Sequence, residues 1–181
     1  MRIIAGKYKN TPLKTLEGKD ITRPTRGIVR EALFSSIVIY SDTLFLDLFS
    51  GSGAIGLEAL SRGAEDVVFN DLNPEAVKII KANLSKVRED RTVYNLDYKE
   101  CLKKEENRNF DYIYCDPPYD FKGYEDIFFD INRYNNLSRE GIIILEVSKD
   151  RVLDDKYLVY QKYKEKHYGA NKLLYYRRDS L

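Results

Sequence analysis

The chain reads Leu-Phe-Leu-Asp-Leu-Phe-Ser-Gly-Ser-Gly-Ala-Ile-Gly from Leu44 to Gly56, and this stretch decides the fold. Its first half is a short apolar run with aromatic side chains, which indicates a buried parallel strand. Its second half breaks into small residues and then into a helix-forming sequence. This order predicts a strand, a glycine turn and a helix. Such a turn lets a ligand approach the backbone closely, and the first N–H groups of the helix are unpaired.

The glycine turn is compatible with two kinds of ligand site. Gly51, Gly53 and Gly56 match the G-x-G-x-x-G pattern of dinucleotide-binding proteins. Asp71 follows a second predicted strand about 20 residues beyond Gly51, where an acid usually binds ribose hydroxyls. Asp47 lies inside the first strand, however, and an acid there suits an amine-bearing ligand better than a pyrophosphate. A dinucleotide-dependent dehydrogenase is therefore kept as a weaker alternative.

Further strands and helices alternate along the chain. The other predicted strands cover residues 67–70, 91–95, 110–115 and 142–146, with a closing antiparallel pair over 157–160 and 173–176. This order predicts an α/β three-layer sandwich of Rossmann-like type, with a mostly parallel sheet and an antiparallel C-terminal hairpin. Because ligands bind at the carboxyl ends of such strands, the residues at several strand ends should share one site. These residues are Asp47, Gly51, Asp71, Asp97 and Asp116.

The first part of the chain is predicted to lie outside the main fold. Residues 1–21 form a basic N-terminal appendage, and residues 22–181 form the main domain. Within the appendage, residues 2–4 and 13–16 are expected to pair as a small β-hairpin, because turn-forming residues separate them.

The composition bounds the class of protein. A chain of 181 residues is long enough for one domain with a full core. The sequence indicates no disulfide framework and no His/Cys metal cluster, because it contains only two cysteines, Cys101 and Cys115, and a single histidine, His167. The N-terminus lacks the apolar core of a signal peptide, and no apolar run approaches membrane-spanning length. The sequence therefore predicts a cytoplasmic protein with no membrane partner and no evident metal.

The net charge of +1 is unevenly distributed. Residues 1–40 carry eight Lys/Arg against three Asp/Glu, and residues 156–181 carry seven against two, whereas the middle is acidic. Basic clusters favour a partner that bears phosphates, although charge runs are often only solvated faces. The candidate residues of the first cluster for binding such a phosphate-bearing partner are Lys7, Lys9, Arg23, Arg26 and Arg30.

Two of these stretches resemble known motifs. Residues 44–56 resemble motif I of the class I S-adenosylmethionine-dependent methyltransferases, and Asp116-Pro117-Pro118-Tyr119 resembles their amino-methylating motif IV. The resemblance implies S-adenosylmethionine as the cofactor. It also implies that an acid at the position of Asp97 contacts the adenine amine, although Asp97 could simply cap the following helix. The expected cofactor-binding residues are Asp47, Ser50, Gly51, Gly53, Asp71, Leu72, Asp97 and Tyr98.

The Asp116–Tyr119 segment suits the methylation of an exocyclic amine. The nitrogen of such an amine is a poor nucleophile, because its lone pair is delocalised into the base ring. Asp116 and the Pro117 carbonyl can accept the two amine hydrogens, while Tyr119 stacks on the base and holds it in line. Asp116 also offsets the positive charge that develops on the nitrogen. Pro117 and Pro118 fix the backbone at the end of the strand. The predicted catalytic residues are Asp116, Pro117, Pro118 and Tyr119.

The resemblance extends over essentially the whole chain. The chain is similar to the bacterial 16S rRNA guanine-N2 methyltransferases in several further stretches. These are residues 2–6, 23–25, 29–34, 57–64, 168–169 and 174–177. Membership of this family implies that the acceptor is the N2 amine of a guanine in 16S rRNA. It also implies that the partner is a partly assembled small ribosomal subunit.

Besides the weaker dehydrogenase alternative, two alternatives to this family remain open. The Asp-Pro-Pro-Tyr motif does not separate guanine N2 from adenine N6 or cytosine N4, so a DNA amino-methyltransferase is the first alternative. The second is a catalytically silent cofactor-binding module that acts as an RNA assembly factor, although the intact motif argues against it. The chain also departs from the family at Arg26 and Gly27, where a second Thr and an Asp are usual. The roles of those two family residues are not carried over.

Overall fold

The structure, a computed structural model, describes residues 1–16 and 24–179. Strands and helices alternate in it from β1 to β5, as the sequence predicts. The helices are α1 (Pro24–Ser36), α2 (Ala54–Ser61), α3 (Pro74–Lys86), α4 (Tyr98–Lys104) and α5 (Tyr124–Arg133). The strands are β1 (Leu44–Asp47), β2 (Asp66–Asn70), β3 (Val93–Tyr94), β4 (Phe110–Cys115), β5 (Leu137–Ser148), β6 (Lys156–Tyr157), β7 (Tyr160–Tyr168) and β8 (Asn171–Arg178).

These strands form one sheet in the order β3-β2-β1-β4-β5-β8-β7-β6. Strands β1 to β5 are parallel to one another, whereas β8, β7 and β6 continue the sheet in antiparallel pairing. The direction of the strand order reverses at β1, which lies between β2 and β4. A crevice forms at the carboxyl end of the sheet at such a reversal. This topology confirms the predicted Rossmann-like sheet with its antiparallel C-terminal strands.

Two apolar cores cover the two faces of the sheet. On one face α1, α2 and α3 pack through side chains such as Leu33, Leu57 and Ile80. On the other face α4 and α5 pack through side chains such as Leu102 and Phe128. Helices on both faces of a central sheet make the three-layer sandwich that the sequence predicts.

The closing hairpin differs from the predicted pairing. β7 and β8 form it, and the prediction of a strand over residues 157–160 was wrong. Leu158, in the left-handed region at φ 52°, lies in the turn that joins β6 to β7. The side chains of β7 are mostly exposed or half-buried, so its sequence lacks the alternation of apolar and polar residues that predicts a strand. Backbone pairing to β8 holds it instead, together with side-chain contacts such as those of Tyr163 with Tyr175 and of Glu165 with Lys172.

The N-terminal segment, residues 1–16, packs against the layer formed by α1, α2 and α3. Arg2 and Pro12 form an antiparallel bridge. Ile3 and Leu13 are buried in the same core as the side chains of α1. Their burial ties the segment to the main fold through apolar contacts, which favour the folded chain.

A buried glutamate of α2 reinforces this attachment. The carboxylate of Glu58 accepts the Ile4 amide at 2.8 Å and the Ala5 amide at 3.0 Å.

The division into an appendage over residues 1–21 and a methyltransferase domain over residues 22–181 stays a prediction, and part of its boundary lies outside the described residues.

Within the described ranges, no helix is long and apolar enough to cross a membrane. The same residues contain no group of three or more His, Cys, Asp or Glu side chains placed to hold a metal ion. Cys101 and Cys115 are free and buried, and their burial raises the pKa of both thiols. Both thiols are therefore protonated at neutral pH.

Candidate active site

A cavity of about 1180 Å³ lies at the carboxyl edge of the parallel strands. Its walls include all four predicted catalytic residues and every predicted cofactor-binding residue except Gly53. Strand ends that are distant in sequence are thus brought together around one space. The cavity exceeds the usual volume of a site for one drug-sized ligand, roughly 300–1,000 Å³, and so has room for two ligand groups.

Asp47 ends β1 and is only 1% exposed at the cavity wall. Its Oδ2 accepts the Gly56 amide at 3.0 Å, whereas its Oδ1 has no hydrogen-bond partner among the described residues. Burial, together with the charge of Asp71, raises the pKa of Asp47 to about 7 against the effect of the Gly56 bond. A cationic or amine donor in the cavity would satisfy Oδ1 and favour the ionised carboxylate.

The Asp71 carboxylate fixes the glycine turn. Its Oδ2 accepts the Gly51 amide at 2.8 Å, and its Oδ1 accepts the amide of Asn73, the N-cap of α3, at 2.8 Å. Each oxygen keeps a second lone pair, which can accept a hydroxyl donor in the cavity. Gly51 has a φ of 56°, in the left-handed region that favours glycine.

Two further glycines and a serine shape the same turn. Ser50 Oγ donates to the Asp47 carbonyl at 2.6 Å, and Gly53 is the N-cap of α2 at a φ of 79°. Gly53 does not line the cavity. At Gly56, a Cβ would lie 2.3 Å from Cε1 of Phe69. The third glycine of the pattern therefore allows α2 to pack closely on β2.

An aromatic and apolar surface covers the wall next to β3. Asp97 is the N-cap of α4, and its Oδ1 accepts the amide two residues later at 2.9 Å. Leu72 lies at the same edge and is 68% exposed. The buried Tyr98 ring contacts Phe49 and Phe121, each at 5.6 Å between ring centroids. This surface suits a flat ring, with the Asp97 carboxylate at its edge. Capping does not exclude that role, since the second carboxylate oxygen is not used by the cap.

The Asp116–Tyr119 segment leaves β4 at the opening of the cavity. Asp116 is exposed and Pro117 is buried. Tyr119 is 83% exposed, and its carbonyl accepts Nη2 of Arg151 at 3.1 Å. The backbone of the segment is therefore held in place while the Tyr119 ring lies in solvent beside the cavity.

Sequence reasoning missed a polar group next to this segment. The Tyr114 hydroxyl donates to Oε2 of Glu146, and Asn171 Nδ2 donates to Oε1 of Glu146 at 2.6 Å. All three residues line the cavity, and Tyr114 and Glu146 are buried. Burial and then the charge of Glu146 raise the pKa of Tyr114. An acid after the apolar run of β5 was the available signal, because it repeats the pattern of Asp47 and Asp116.

Lys7 and Lys9, two of the predicted RNA contacts, are exposed. Lys9 lies on the surface. The Lys7 side chain is 54% exposed, and its Nζ pairs with Oε1 of Glu89 at 2.9 Å. Arg23 and the side chain of Arg26 lie outside the described part of the structure.

Arg30, another candidate RNA-binding residue, is buried rather than exposed to solvent. It is 5% exposed, and its Nη2 donates to the Arg2 carbonyl at 2.6 Å. Its Nε lies 3.8 Å from the Glu58 carboxylate. The N-terminal segment covers this face of α1, so the guanidinium holds that segment and forms part of the cavity wall.

Comparison with known proteins places these features in context. Residues 1–177 match the protein family described as Conserved hypothetical protein 95. The chain is 36% identical to YlbH of Bacillus subtilis, a candidate rRNA methyltransferase, over 83% of this chain and 84% of the relative. It is 34% identical to ribosomal RNA small subunit methyltransferase D of Haemophilus influenzae, over 84% of this chain and 81% of the relative. The solved structure of yhhF from Escherichia coli, a candidate methyltransferase, superposes with a TM-score of 0.86 at 26% identity and covers 100% of this chain and 99% of its own.

Proposed function

Because the chain belongs to the family of ribosomal RNA small subunit methyltransferase D, we propose that it methylates the N2 amine of a guanine in 16S rRNA, with S-adenosylmethionine as the donor. One observation carries the proposal. The glycine turn with Asp71 and the Asp116–Tyr119 segment lie on the walls of the same cavity. The first group fits a cofactor, and the second fits the amine that receives the methyl group.

The residues of the cavity fit S-adenosylmethionine. The buried Oδ1 of Asp47, without a partner among the described residues, suits the ammonium of its methionine part. The remaining lone pairs of Asp71 suit the ribose hydroxyls. A Cβ at Gly51 would meet nothing within 4 Å, so this part of the backbone faces open space that a ligand can fill. Leu72 and Asp97 flank the surface that would receive the adenine.

A dinucleotide fits the same residues less well. Asp47 is an acid at the wall where a pyrophosphate would approach the glycine turn, and two negative groups there repel each other. A dehydrogenase would also leave the Asp116–Tyr119 segment without a role. Both observations favour the methyltransferase over the dehydrogenase alternative.

The chemistry assigned to the chain itself is positioning and charge stabilisation. When bound, S-adenosylmethionine supplies an electrophilic methyl group. Asp116 and the Pro117 carbonyl accept the hydrogens of the target amine, so that the nitrogen lone pair turns out of the ring plane. The negative charge of Asp116 stabilises the positive charge that develops on this nitrogen. The methylated ammonium is acidic and loses its proton afterwards, so no strong base is needed.

Tyr119 supplies the platform for the base. The residue is 83% exposed, so its ring is accessible to an incoming base. Stacking of one base on an aromatic ring contributes about 1–3 kcal/mol. The bond from Arg151 to the Tyr119 carbonyl fixes the backbone that carries this ring.

We propose 16S rRNA within an assembling small ribosomal subunit as the partner, and the cytoplasm as the compartment where the two meet. The name of the Haemophilus influenzae relative supports the choice of the small subunit. The basic N-terminal segment supports an RNA partner, because Met1 and Leu16 line the cavity and place the segment beside it. Its exposed Lys9 can contact phosphates there.

Transfer from tritiated S-adenosylmethionine to alternative acceptors tests this function. The acceptors are small ribosomal subunits from cells lacking the gene, naked 16S rRNA and duplex DNA, each digested to nucleosides. We expect label in N2-methylguanosine from the ribosomal acceptors. Label in DNA adenine or cytosine would instead support a DNA methyltransferase, and no transfer to any acceptor would support the non-catalytic assembly factor. We also expect S-adenosylmethionine to raise the melting temperature and NAD to leave it unchanged.

A further inference from the structure

Glu146 is a buried carboxylate of the cavity wall that the mechanism above does not use. It is 8% exposed, and its two oxygens accept one bond each, from the Tyr114 hydroxyl and from Asn171 Nδ2. A carboxylate offers about four lone-pair sites, so acceptor capacity remains on both oxygens. Two protein donors thus hold a negatively charged acceptor at a fixed place in the cavity.

The strand order places Glu146 on the far side of Asp116 from the cofactor residues. The proposed cofactor residues follow β1, β2 and β3, Asp116 follows β4, and Glu146 belongs to β5, the next strand of the sheet. Cys115 and Leu145 are register partners, so Asp116 and Glu146 each come one residue later on neighbouring strands. The charges of both carboxylates raise the pKa of the Tyr114 phenol, which is consistent with their lying close together. An acceptor base at Asp116 would therefore extend towards Glu146.

We propose that Glu146 accepts a hydrogen bond from N1–H of the target guanine and thereby selects guanine over adenine and cytosine. This inference rests on the proposed function. In guanine the N2 amine is adjacent to N1–H, a donor. In adenine and cytosine the corresponding ring nitrogen carries a lone pair, which a carboxylate repels. Glu146 thus supplies the discrimination between the three amines that the Asp-Pro-Pro-Tyr motif lacks.

2-Aminopurine separates the contribution of N1–H from that of the amine. This base keeps the exocyclic amine at C2 but has a bare N1 and no O6. The acceptor RNA carries either guanine or 2-aminopurine at the target nucleotide, after mass mapping has located it. Single-turnover transfer from tritiated S-adenosylmethionine gives a guanine-to-2-aminopurine rate ratio for each variant. The missing O6 affects every variant alike, so it cancels when the ratios are compared.

We expect the wild-type protein to methylate guanine roughly 100-fold faster than 2-aminopurine. This is the scale expected when one base-edge hydrogen bond is lost and a buried polar group is left without a partner. Glu146→Gln can offer an amide donor to the bare N1, and its ratio should fall to less than about tenfold. Glu140→Gln is the matched control, because Glu140 lies on the same strand but is exposed. This control should keep the wild-type ratio.

An unchanged ratio in Glu146→Gln, with a wild type that is active on guanine, would overturn this inference alone. A wild type that transfers nothing to guanine would overturn the proposed function and this inference with it. If circular dichroism shows that Glu146→Gln does not fold, Glu146→Asp takes its place. That variant keeps the negative charge, but its side chain is shorter by one methylene group and holds the carboxylate farther from the base. Its rate ratio should therefore also fall. An unchanged ratio in Glu146→Asp would equally overturn the inference.

Discussion

Asp47 and Gly56 are joined by a hydrogen bond of 3.0 Å that uses one oxygen of the Asp47 carboxylate, while the other is buried without a partner among the described residues. Burial raises the pKa of this carboxyl group to about 7. Below that pH the group holds a proton when the cavity contains no ligand. In the proposed site it must lose this proton before it can receive an ammonium, so we expect ionisation of Asp47 and cofactor binding to be linked.

S-adenosylmethionine should therefore bind more tightly as the pH rises towards 7, and its affinity should pass through a maximum and fall once the α-amino group of the ligand loses its proton. Below the pKa the ionised fraction of Asp47 falls roughly tenfold per pH unit, while an α-amino group stays protonated up to about pH 7.7. Asp47→Asn should bind more weakly and show a flat profile over the same range. Isothermal titration calorimetry at several pH values measures both. A steep profile that persists in Asp47→Asn would assign the titration to another group.

Asp71→Ala should weaken S-adenosylmethionine binding by about 1–3 kcal/mol. The carboxylate is expected to accept the ribose hydroxyls, and it also holds the Gly51 and Asn73 amides that shape the turn. Asp42→Ala, at an exposed aspartate away from the cavity, is the control. Calorimetry that finds the same affinity in Asp71→Ala and in the wild type would remove Asp71 from the site.

Gly56→Ala should lower the free energy of unfolding by about 1–3 kcal/mol, because the added methyl group overpacks the contact between α2 and β2. Its Cβ would lie 2.3 Å from the Phe69 ring. Gly27→Ala is the opposite case, since a Cβ there meets nothing within 4 Å and the residue lies in α1. That change should stabilise the protein by about 0.5–1 kcal/mol. Equal urea midpoints for the two variants would contradict this account of the third glycine.

Lys9→Gln should reduce the salt dependence of RNA binding, with the slope of log affinity against log salt falling by about one. Lys7→Gln should reduce it less, because the Lys7 ammonium is already paired with Glu89. Filter binding at several salt concentrations gives both slopes. If neither variant changes the slope, the N-terminal segment does not contact phosphates.

The strands of the sheet could be predicted where an apolar run and the residues that follow it both indicate a strand that ends at that point. β1, β2, β4 and β5 are apolar runs buried between helices, and helix-forming sequence separates them. β7 could not be predicted in this way, because Lys164, Lys166 and their neighbours give it no apolar face. Its position depends on backbone bonds to β8 and on side-chain contacts such as that of Glu165 with Lys172, which the local sequence pattern does not record.

The sequence allowed prediction of those residues of the candidate site that lie at the ends of strands. Asp47, Asp71 and Asp116 each follow an apolar run, and the topology brings them to one edge. The burial of Arg30 could not be predicted, because it depends on Arg2 and Glu58, which a helical pattern does not reveal. Contacts across such sequence distances are set by the packing of the N-terminal segment.

Asp116→Ala should lower the rate of methyl transfer by the equivalent of about 2–4 kcal/mol, the usual scale for one preorganised electrostatic group. Asp116 is exposed at the opening of the cavity, so its truncation removes little packing, and the fold and cofactor affinity should persist. Asp120→Ala, another exposed aspartate four residues later, should keep most of the activity. Single-turnover rates, with calorimetry for the cofactor, separate these effects.

Mass mapping of 16S rRNA from cells lacking the gene tests the central claim most directly. The account predicts that one N2-methylguanosine is absent from this rRNA, that the wild-type gene restores it and that Asp116→Ala does not. Asp120→Ala, expressed at the same level, should restore it as the wild type does. An rRNA from the gene-deficient cells that keeps all of its N2-methylguanosines would contradict the proposed function. Full restoration by Asp116→Ala would contradict the proposed mechanism.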